Sequence, residues 1–596
     1  MPWSADEAAL LVLLPTAFAA ALLPLPGSWW LVGVLVLVAA VLVRPAVLVL
    51  ALLAAIGVRA DSAVAALVAV PTAPVQRIEV ELVADPTPSE VSWRAVADAP
   101  AGRVMVEGRG AAGAALAGRA VGDRLVVSGT QRGSEPATSW QRSRGLVGRI
   151  DVTDVHSVTR SGGVRGVATA WRRQLVDGAR SIPSGDRALF AGLVFGDDRD
   201  QRAVDADNFR AAGLGHLLAV SGQNVVFVLL VAAPVLSRIR QHWLRLASTI
   251  VVLALFGFLT RFEPSVTRAL VMAGLAAAAA TRGSPSAAVR VLPPAVLGLL
   301  LLFPLMAWSL AFQLSVAATS GLVVLSGRLE ARLPLPRVIA APLAATAAAQ
   351  LAVSPLLLVA FGSVSLLALP ANLLAGPAAA FAMMWGLTAG ALAAVAPPVV
   401  AAVLHWPTRL AIDWITLVAA TAADLPVGRF GGWHLMALLV GGGLAVRSAP
   451  LMRALGLTLA TLALLLPLVF PPHIGPGTHV LLDGVVLHRS PAGHDVVVLD
   501  RTTGAERTLE ALRHAHPDRI DLLLVTSGSR SAGRLVHVLT QRHDVVDIWA
   551  PTGHQVPGAR VHPEAGTVGA LTVDWPPDGA PTVRLAAGGS TATPAG

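Results

Sequence analysis

The sequence predicts a polytopic α-helical membrane protein with a β-rich segment and an α/β tail outside the bilayer. Three observations predict it. Hydrophobic residues make up 55% of the 596 and charged ones 14%, where a soluble domain carries about 25% charged, and the mean hydropathy is +0.67. Long apolar runs crowd into residues 1–74 and 216–470, several near the ~20 residues that span a bilayer. Between and after those regions, apolar residues alternate with polar ones in short stretches bounded by Gly, Pro or Asp.

Composition also excludes chemistry. There is no cysteine, so no disulfide, thiolate metal site or cysteine nucleophile. Lysine is absent too, and all 45 basic side chains are arginine, which excludes a P-loop. Any uphill movement draws its energy from a partner or a gradient. The net charge of +9 is uneven, with 22 arginines against 11 acids in residues 161–470. Two readings fit that excess: arginine loading of cytoplasmic loops, or an anionic substrate.

Residues 1–74 hold apolar runs at 8–23 and 29–43 and a third from Ala46, interrupted by Arg59 and Asp61. No arginine-led segment with a small-residue cleavage site precedes the first run, which reads as a retained helix. Residues 75–160 alternate in period two at 77–83, 102–107, 122–129 and 148–153, the pattern of a small barrel or sandwich. Residues 164–182 form an amphipathic helix suited to a membrane surface, and 186–212 are helical and polar enough to lie outside the bilayer. Ten apolar runs follow, near 216–234, 246–260, 266–280, 291–307, 308–326, 338–362, 366–395, 398–422, 433–446 and 454–470. With ten spans, the arginine-bearing loops at 237–245, 281–290, 327–337 and 447–453 share one side, which the positive-inside rule makes cytoplasmic. Residues 75–160 and the tail after Phe470 then lie outside the cell. Residues 471–590 alternate strand-like and helix-like runs, and 591–596 read as a disordered tail.

Four segments, His216-Leu-Leu-Ala-Val-Ser-Gly-Gln-Asn-Val225, Pro264-Ser-Val-Thr-Arg-Ala269, Phe312-Gln-Leu-Ser315 and Pro370-Ala-Asn-Leu-Leu374, come in the order seen in a known family. Together with the order of domains, they resemble the ComEC competence proteins, the DNA-uptake channels of naturally transformable bacteria. The resemblance implies transmembrane helices over 1–74, an extracytoplasmic OB-like barrel over 75–160, and amphipathic and connecting helices over 161–215. It also implies a competence transmembrane domain over 216–470 and a metallo-β-lactamase-like domain over 471–590. It implies a channel that passes single-stranded DNA inward, fed by an extracytoplasmic DNA receptor and served by a cytoplasmic ATPase or helicase.

Two departures stand out. The family's second signature histidine is here Asn224. In the tail, the positions of the metal-binding HxHxDH motif fall on Ser527, Ser529, Ser531 and Ala532, which cannot hold a pair of metal ions. The tail is thus expected to be degenerate, without metal, cofactor or catalytic residues. Ten of the 15 histidines lie in 473–562, but only His514 and His516 are closely spaced, so they read mainly as surface residues.

A polyanion cannot cross hydrocarbon, so its path needs arginine and amide donors. The channel-lining candidates are His216, Ser221, Gln223, Asn224, Arg268, Gln313 and Asn372. On one continuous helix, the seven-residue step from His216 to Gln223 puts both on one face. Arg268 either lines the path or pairs with Glu263. Gln313 either lines it or glues neighbouring helices. Asn372 lies between Pro370 and Gly376-Pro377, a context that predicts a broken helix. Arg409 and Asp413 are spaced as an internal pair. For DNA binding by the barrel, Trp93-Arg94 and Trp140 with Arg142 offer stacking beside charge, with a core role for tryptophan as the alternative. Two other functions remain open at this level: a membrane-anchored metal-dependent phosphodiesterase or nuclease, and a transporter of another anionic polymer or lipid.

Overall fold

The computed structural model describes residues 4–22, 45–89, 92–133, 138–218, 220–282, 288–425, 429–445, 450–469, 474–500, 504–515, 517, 519–561, 565–576 and 581–585. The apolar run at 29–43, His516 and residues 591–596 lie outside them. The chain forms two compact units, Met1–Asp200 with Gly213–Val418, and Gln201–Ala212 with Ala419–Gly596.

The first unit begins with α1 (Ala5–Leu22) and α2 (Pro45–Ala65) and then enters a barrel. Its strands are β1 (Ala73–Leu82), the short β2 (Thr87–Pro88), β3 (Ser92–Ala99), β4 (Gly102–Arg109), β5 (Arg124–Gly133) and β6 (Gly148–Thr159). The order β1-β5-β6-β4-β3 closes through a β1–β3 pairing. β4 and β6 run parallel, and the helix α3 (Gly110–Leu116) bridges β4 to β5. A closed five-stranded Greek-key barrel of this connectivity is the OB architecture. Val80, Leu82, Val104, Val106, Leu125, Val127 and Ile150 alternate inward and fill it. At Gly129 a Cβ would stand 2.1 Å from the Asp151 carbonyl oxygen, so only glycine lets β5 approach β6 there.

A short helix α4 (Ser139–Arg144) interrupts the last crossover, and α5 (Gly163–Gly178), α6 (Ser184–Phe195) and α7 (Ala203–Ala211) follow the barrel. The amphipathic α5 buries Ala168, Arg172 and Leu175, while Val164, Val167 and Trp171 remain exposed. Then come α8 (Gly222–Leu236), α9 (His242–Leu259), α10 (Pro264–Thr281), α11 (Ala288–Leu302), α12 (Leu310–Glu330), α13 (Arg337–Phe361), α14 (Ala368–Ala393), α15 (Pro398–Asp424), α16 (Gly432–Ala445) and α17 (Pro450–Val469). A helix stands at each of the ten apolar runs. Among the described residues, α9, α10, α12, α13 and α14 are long and apolar enough to cross a membrane.

Two local expectations are corrected. His216 lies in a 3-10 turn, Gly215–Leu217, and the chain is extended at Ser221 (φ −98°, ψ 163°), so α8 starts at Gly222. His216 and Gln223 therefore do not share a helix face. α14 runs unbroken through Pro377. Pro370 sits in its first turn, where no intrahelical N–H bond is lost, and Asn372 Nδ2 donates to the Ala368 carbonyl at 2.7 Å. Arg409 and Asp413 pair at 3.8 Å as the spacing predicts.

In the second unit the tail builds a six-stranded sheet. β7 (Gly477–Leu482), β8 (Val485–Arg489) and β9 (Asp495–Leu499) are antiparallel. β10 (Ile520–Val525), β11 (Val545–Ala550) and β12 (Arg560–Val561) then extend from β9 in parallel. Every residue of β9 and β10 is buried, as expected of parallel strands covered on both faces. One cover is helical, from α18 (Ala505–Ala515) and α19 (Arg530–Arg542), with Leu509, Leu512, Leu535 and Leu539 in the core. The other is a second sheet of β13 (Ala565–Val568), β14 (Leu571–Asp574) and β15 (Thr582–Leu585), whose Leu571, Val573 and Val583 meet Val496, Val498, Leu522 and Leu524.

Candidate functional site

Glu263 and Pro264 start α10, with proline in the first turn where its missing N–H costs nothing. Arg268 follows one turn later and is only 5% exposed. Its Nε donates to Ser315 Oγ on α12 at 3.0 Å, and Nη1 lies 2.8 Å from Met272 Sδ. Gly222, at the start of α8, passes so close that a Cβ there would stand 2.6 Å from Arg268 Nη2. The guanidinium is thus wedged between three helices. Among the described residues it has no carboxylate partner, because Glu263 turns instead to Arg144 at 3.5 Å.

The signature turn is stitched to the same place. Ser265 Oγ donates to the Val220 carbonyl at 2.9 Å. Ser221 Oγ donates to Asn224 Oδ1 at 3.1 Å, and Asn224 Nδ2 donates to the Leu193 carbonyl of α6 at 3.1 Å. Asn224, buried, works as a brace, while Gln223 and His216 are exposed. Ser221, Asn224 and Arg268 come together with Gly222 and Ser315. Gln313 stands apart from that set in its bonding: its Nε2 donates to the Ala307 carbonyl at 2.6 Å. It also lines an apolar pocket of about 430 Å³ with Leu10, Leu14 and Phe18 of α1 and Leu356 of α13.

In the barrel, Trp93 packs against the core and its Cδ1 approaches Gly113, while Arg94 pairs with Glu107 at 3.3 Å. Trp93-Arg94 are thereby occupied within the barrel itself, which favours the core role for this tryptophan. Arg142 lies over the Trp308 ring at 4.6 Å. Trp140 remains 48% exposed.

The sequence reading missed a buried ion cluster on the same unit. Arg172 of α5 reaches Asp197 at 3.1 Å, Asp85 at 3.4 Å and the Leu259 carbonyl at 3.0 Å. Arg261 reaches Asp85 at 3.2 Å and Thr169 Oγ1 at 3.0 Å, and Arg199 Nε donates to Asp197 at 2.7 Å. Burial opposes ionisation of Asp197, yet Arg199 and Arg172 outweigh it and hold the carboxyl down at about 2. The adjacent Asp198 is pushed up by burial and by the Asp197 charge. Arg261 and Phe262 both adopt positive φ, 59° and 52°. Strain of that kind persists only where surrounding contacts enforce it. Ser315 was within sight, since it closes the Phe312–Ser315 segment. The cluster was not, because its members come from four separate stretches of chain.

In the tail, Ser527, Ser529 and Ser531 hydrogen-bond one another at 3.1 and 3.0 Å, and Ser529 caps α19 by accepting from the Ala532 N–H at 3.2 Å. Hydroxyls committed to each other beside an alanine do not fit a two-metal site. Among the described residues no group of three His, Asp or Glu side chains is arranged to hold a metal ion.

No curated protein and no solved structure matches the chain. One family model does, described as "Competence protein", over residues 193–452. That stretch contains the signature turn, Arg268 and Ser315, so residues 193–452 are similar to the competence protein family that the motifs resemble.

Proposed function

We propose that this protein passes a single strand of DNA through the membrane during natural transformation. The competence domain supports a role in DNA uptake. The observation that carries the finer reading is Arg268: a buried guanidinium in an apolar helix bundle with no protein counter-charge among the described residues. Even on insertion scales, a charge at the centre of a helix span costs about 2.5–3.5 kcal/mol. A polyanion that enters the site supplies the missing charge at each passing phosphate. His216 and Gln223, exposed beside this turn, are positioned in sequence to act as further donors.

The barrel and the tail are both read as extracytoplasmic. Four arginine-bearing loops share the opposite side when ten helices cross, and α7, ahead of the ten, packs in one unit with the tail that follows them. An outer DNA receptor delivers the duplex, and a cytoplasmic ATPase pulls. The tail's helix–sheet–sheet layering and the site of its serine loop, after a parallel strand, support a metallo-β-lactamase-like origin. Its serines support a domain without metal chemistry, so strand degradation falls to another protein.

The test is a deletion strain of a naturally transformable host complemented with wild type, Arg268→Leu and Arg268→Lys. Transformation should fall at least about 100-fold with Leu, a loss of about 2.8 kcal/mol in rate terms, at unchanged membrane abundance, and Lys should recover part of it. Normal transformation by the deletion strain or by Arg268→Leu overturns the assignment. Metal and DNA hydrolysis in the purified full chain would favour the phosphodiesterase reading instead.

A further inference from the structure

The second unit contains one short helix from far upstream. Residues 201–212 belong with 419–596 by contact, although the signature turn begins only three residues beyond them. Within that helix, α7, residues Asp205–Phe209 and Ala211 are all buried. Ala203 and Val204 pack on the helical side of the tail's core beside α18 and α19. Arg513 of α18 grips it: Nη1 donates to Asp207 Oδ1 at 2.8 Å and to the Asp207 carbonyl at 3.0 Å. The two side chains are 10% and 2% exposed. Outside this pair, Arg210 meets Glu506 at 2.9 Å.

A nine-residue helix is too short to be stable in water by itself, since helices under about 12–15 residues are marginal. α7 therefore owes its shape to the tail. A bond to both the carboxylate and the carbonyl of one residue fixes the helix along its axis as well as its charge. Gly213, at φ +73°, then ends it, and Gly215 opens the turn that carries His216.

We propose that the C-terminal domain acts as a clamp on α7, and that Asp207 and Arg513 are a positioning pair for the His216–Asn224 turn. A domain whose metal positions are serine and alanine still has mechanical work to perform, because it completes the helix that leads into the conduit. The functional weight of that turn rests on the transport reading above; the clamp itself does not.

The absence of native cysteine gives a clean test. Gln223→Cys becomes the sole thiol, and its maleimide labelling rate is measured in membranes containing the full chain. Asp207→Ala and Arg513→Asp should change that rate at least about tenfold, as a loosened local structure does, whereas Arg210→Ala, which breaks only the exposed pair, should not. Hydrogen exchange in 495–499 and 520–525 reports whether the tail core stays folded. Asp207→Asn, which lies outside the tail and keeps its backbone carbonyl, serves if Arg513→Asp does not fold. The proposal is overturned if exchange in 203–211 accelerates in any folded variant while labelling at 223 stays constant, or if 203–211 does not respond at all. Transformation is measured in the same Asp207 and Arg513 variants with Gln223 native; if it stays normal while labelling responds, the turn's position is not needed for transport and the clamp still stands.

Discussion

Replacing Arg172 by methionine should loosen the junction between the barrel and the membrane helices without unfolding either. The guanidinium is 7% exposed and contacts Asp85, Asp197 and the Leu259 carbonyl. It also lies over the Phe195 ring at 4.8 Å. Methionine keeps most of that packing and deletes the charge. Removing one member of a buried ion pair costs about 3–5 kcal/mol, because the other is left uncompensated. Here Asp85 retains Arg261 and Asp197 retains Arg199, so the lower end, about 3 kcal/mol, applies. At about 1.4 kcal/mol per tenfold, the locally open state becomes more than about 100-fold more populated. Hydrogen exchange in 83–89 and 196–202 of the full chain should accelerate by that factor, while 520–525 in the tail should not respond. Acidification should not mimic the substitution at moderate pH. Asp197 is held below its ordinary value, so its contribution is complete above about 4 and is lost only as pH falls toward about 2. An exchange rate in 83–89 within about threefold of wild type, less than 0.7 kcal/mol, would refute the idea that this cluster secures the junction.

Gly222→Val should displace the Arg268 guanidinium, since even a Cβ meets Nη2 at 2.6 Å and Ala269 Cβ at 3.2 Å. Overpacking of this kind costs about 1–3 kcal/mol, and transformation should fall with the protein still present in the membrane; Gly222→Ala should lose less, because the guanidinium can swing aside. The tail should weaken in acid. Burial, aided by His479, pushes His488 down to about 4, and burial, aided by Arg542, does the same to His543. Both imidazoles are neutral in the fold and protonate near 6.5 once unfolded. Their contribution is therefore complete above about 6.5 and is lost as pH falls toward about 4, about 2 kcal/mol each by pH 5. Exchange protection of 495–499 and 520–525 compared at pH 7.5 and pH 5 measures it, and equal protection at both would contradict the burial of these rings.

What the sequence made legible follows from periodicity. Alternation marks β1, β4, β5 and β6, whose inward valines and leucines stand out against charged neighbours. β3 escaped because its inward positions include Ala95 and Ala97, small residues that carry little pattern. The ten apolar runs became helices, but the 216–234 run misled at its start. A glycine and a serine there let the chain turn and extend before α8 begins, and apolarity alone does not distinguish a helix from an apolar turn. The break expected in α14 did not form: Pro370 falls in the first turn, where a proline is harmless, and the helix continues through Pro377. The ion cluster and the grip of Arg513 on Asp207 depend on tertiary proximity, the latter across 306 residues, and no window of sequence contains them.

The arginines of this chain separate by their company, and that separation is the physical basis of the functional reading. Guanidinium stays charged at any biological pH, unlike an amine. A buried arginine must therefore find an opposite charge or carry the cost of lacking one. Arg172, Arg199 and Arg261 share Asp85 and Asp197, and Arg513 has Asp207. Each of these arginines has a carboxylate partner within the fold, and its loss should act through structure. Arg268 has a hydroxyl and a thioether, neutral groups that orient the guanidinium without cancelling its charge. A purely structural donor in that position could be an uncharged amide at lower cost. An arginine there makes physical sense if its counter-charge arrives from outside and leaves again, which is what a moving phosphate backbone does.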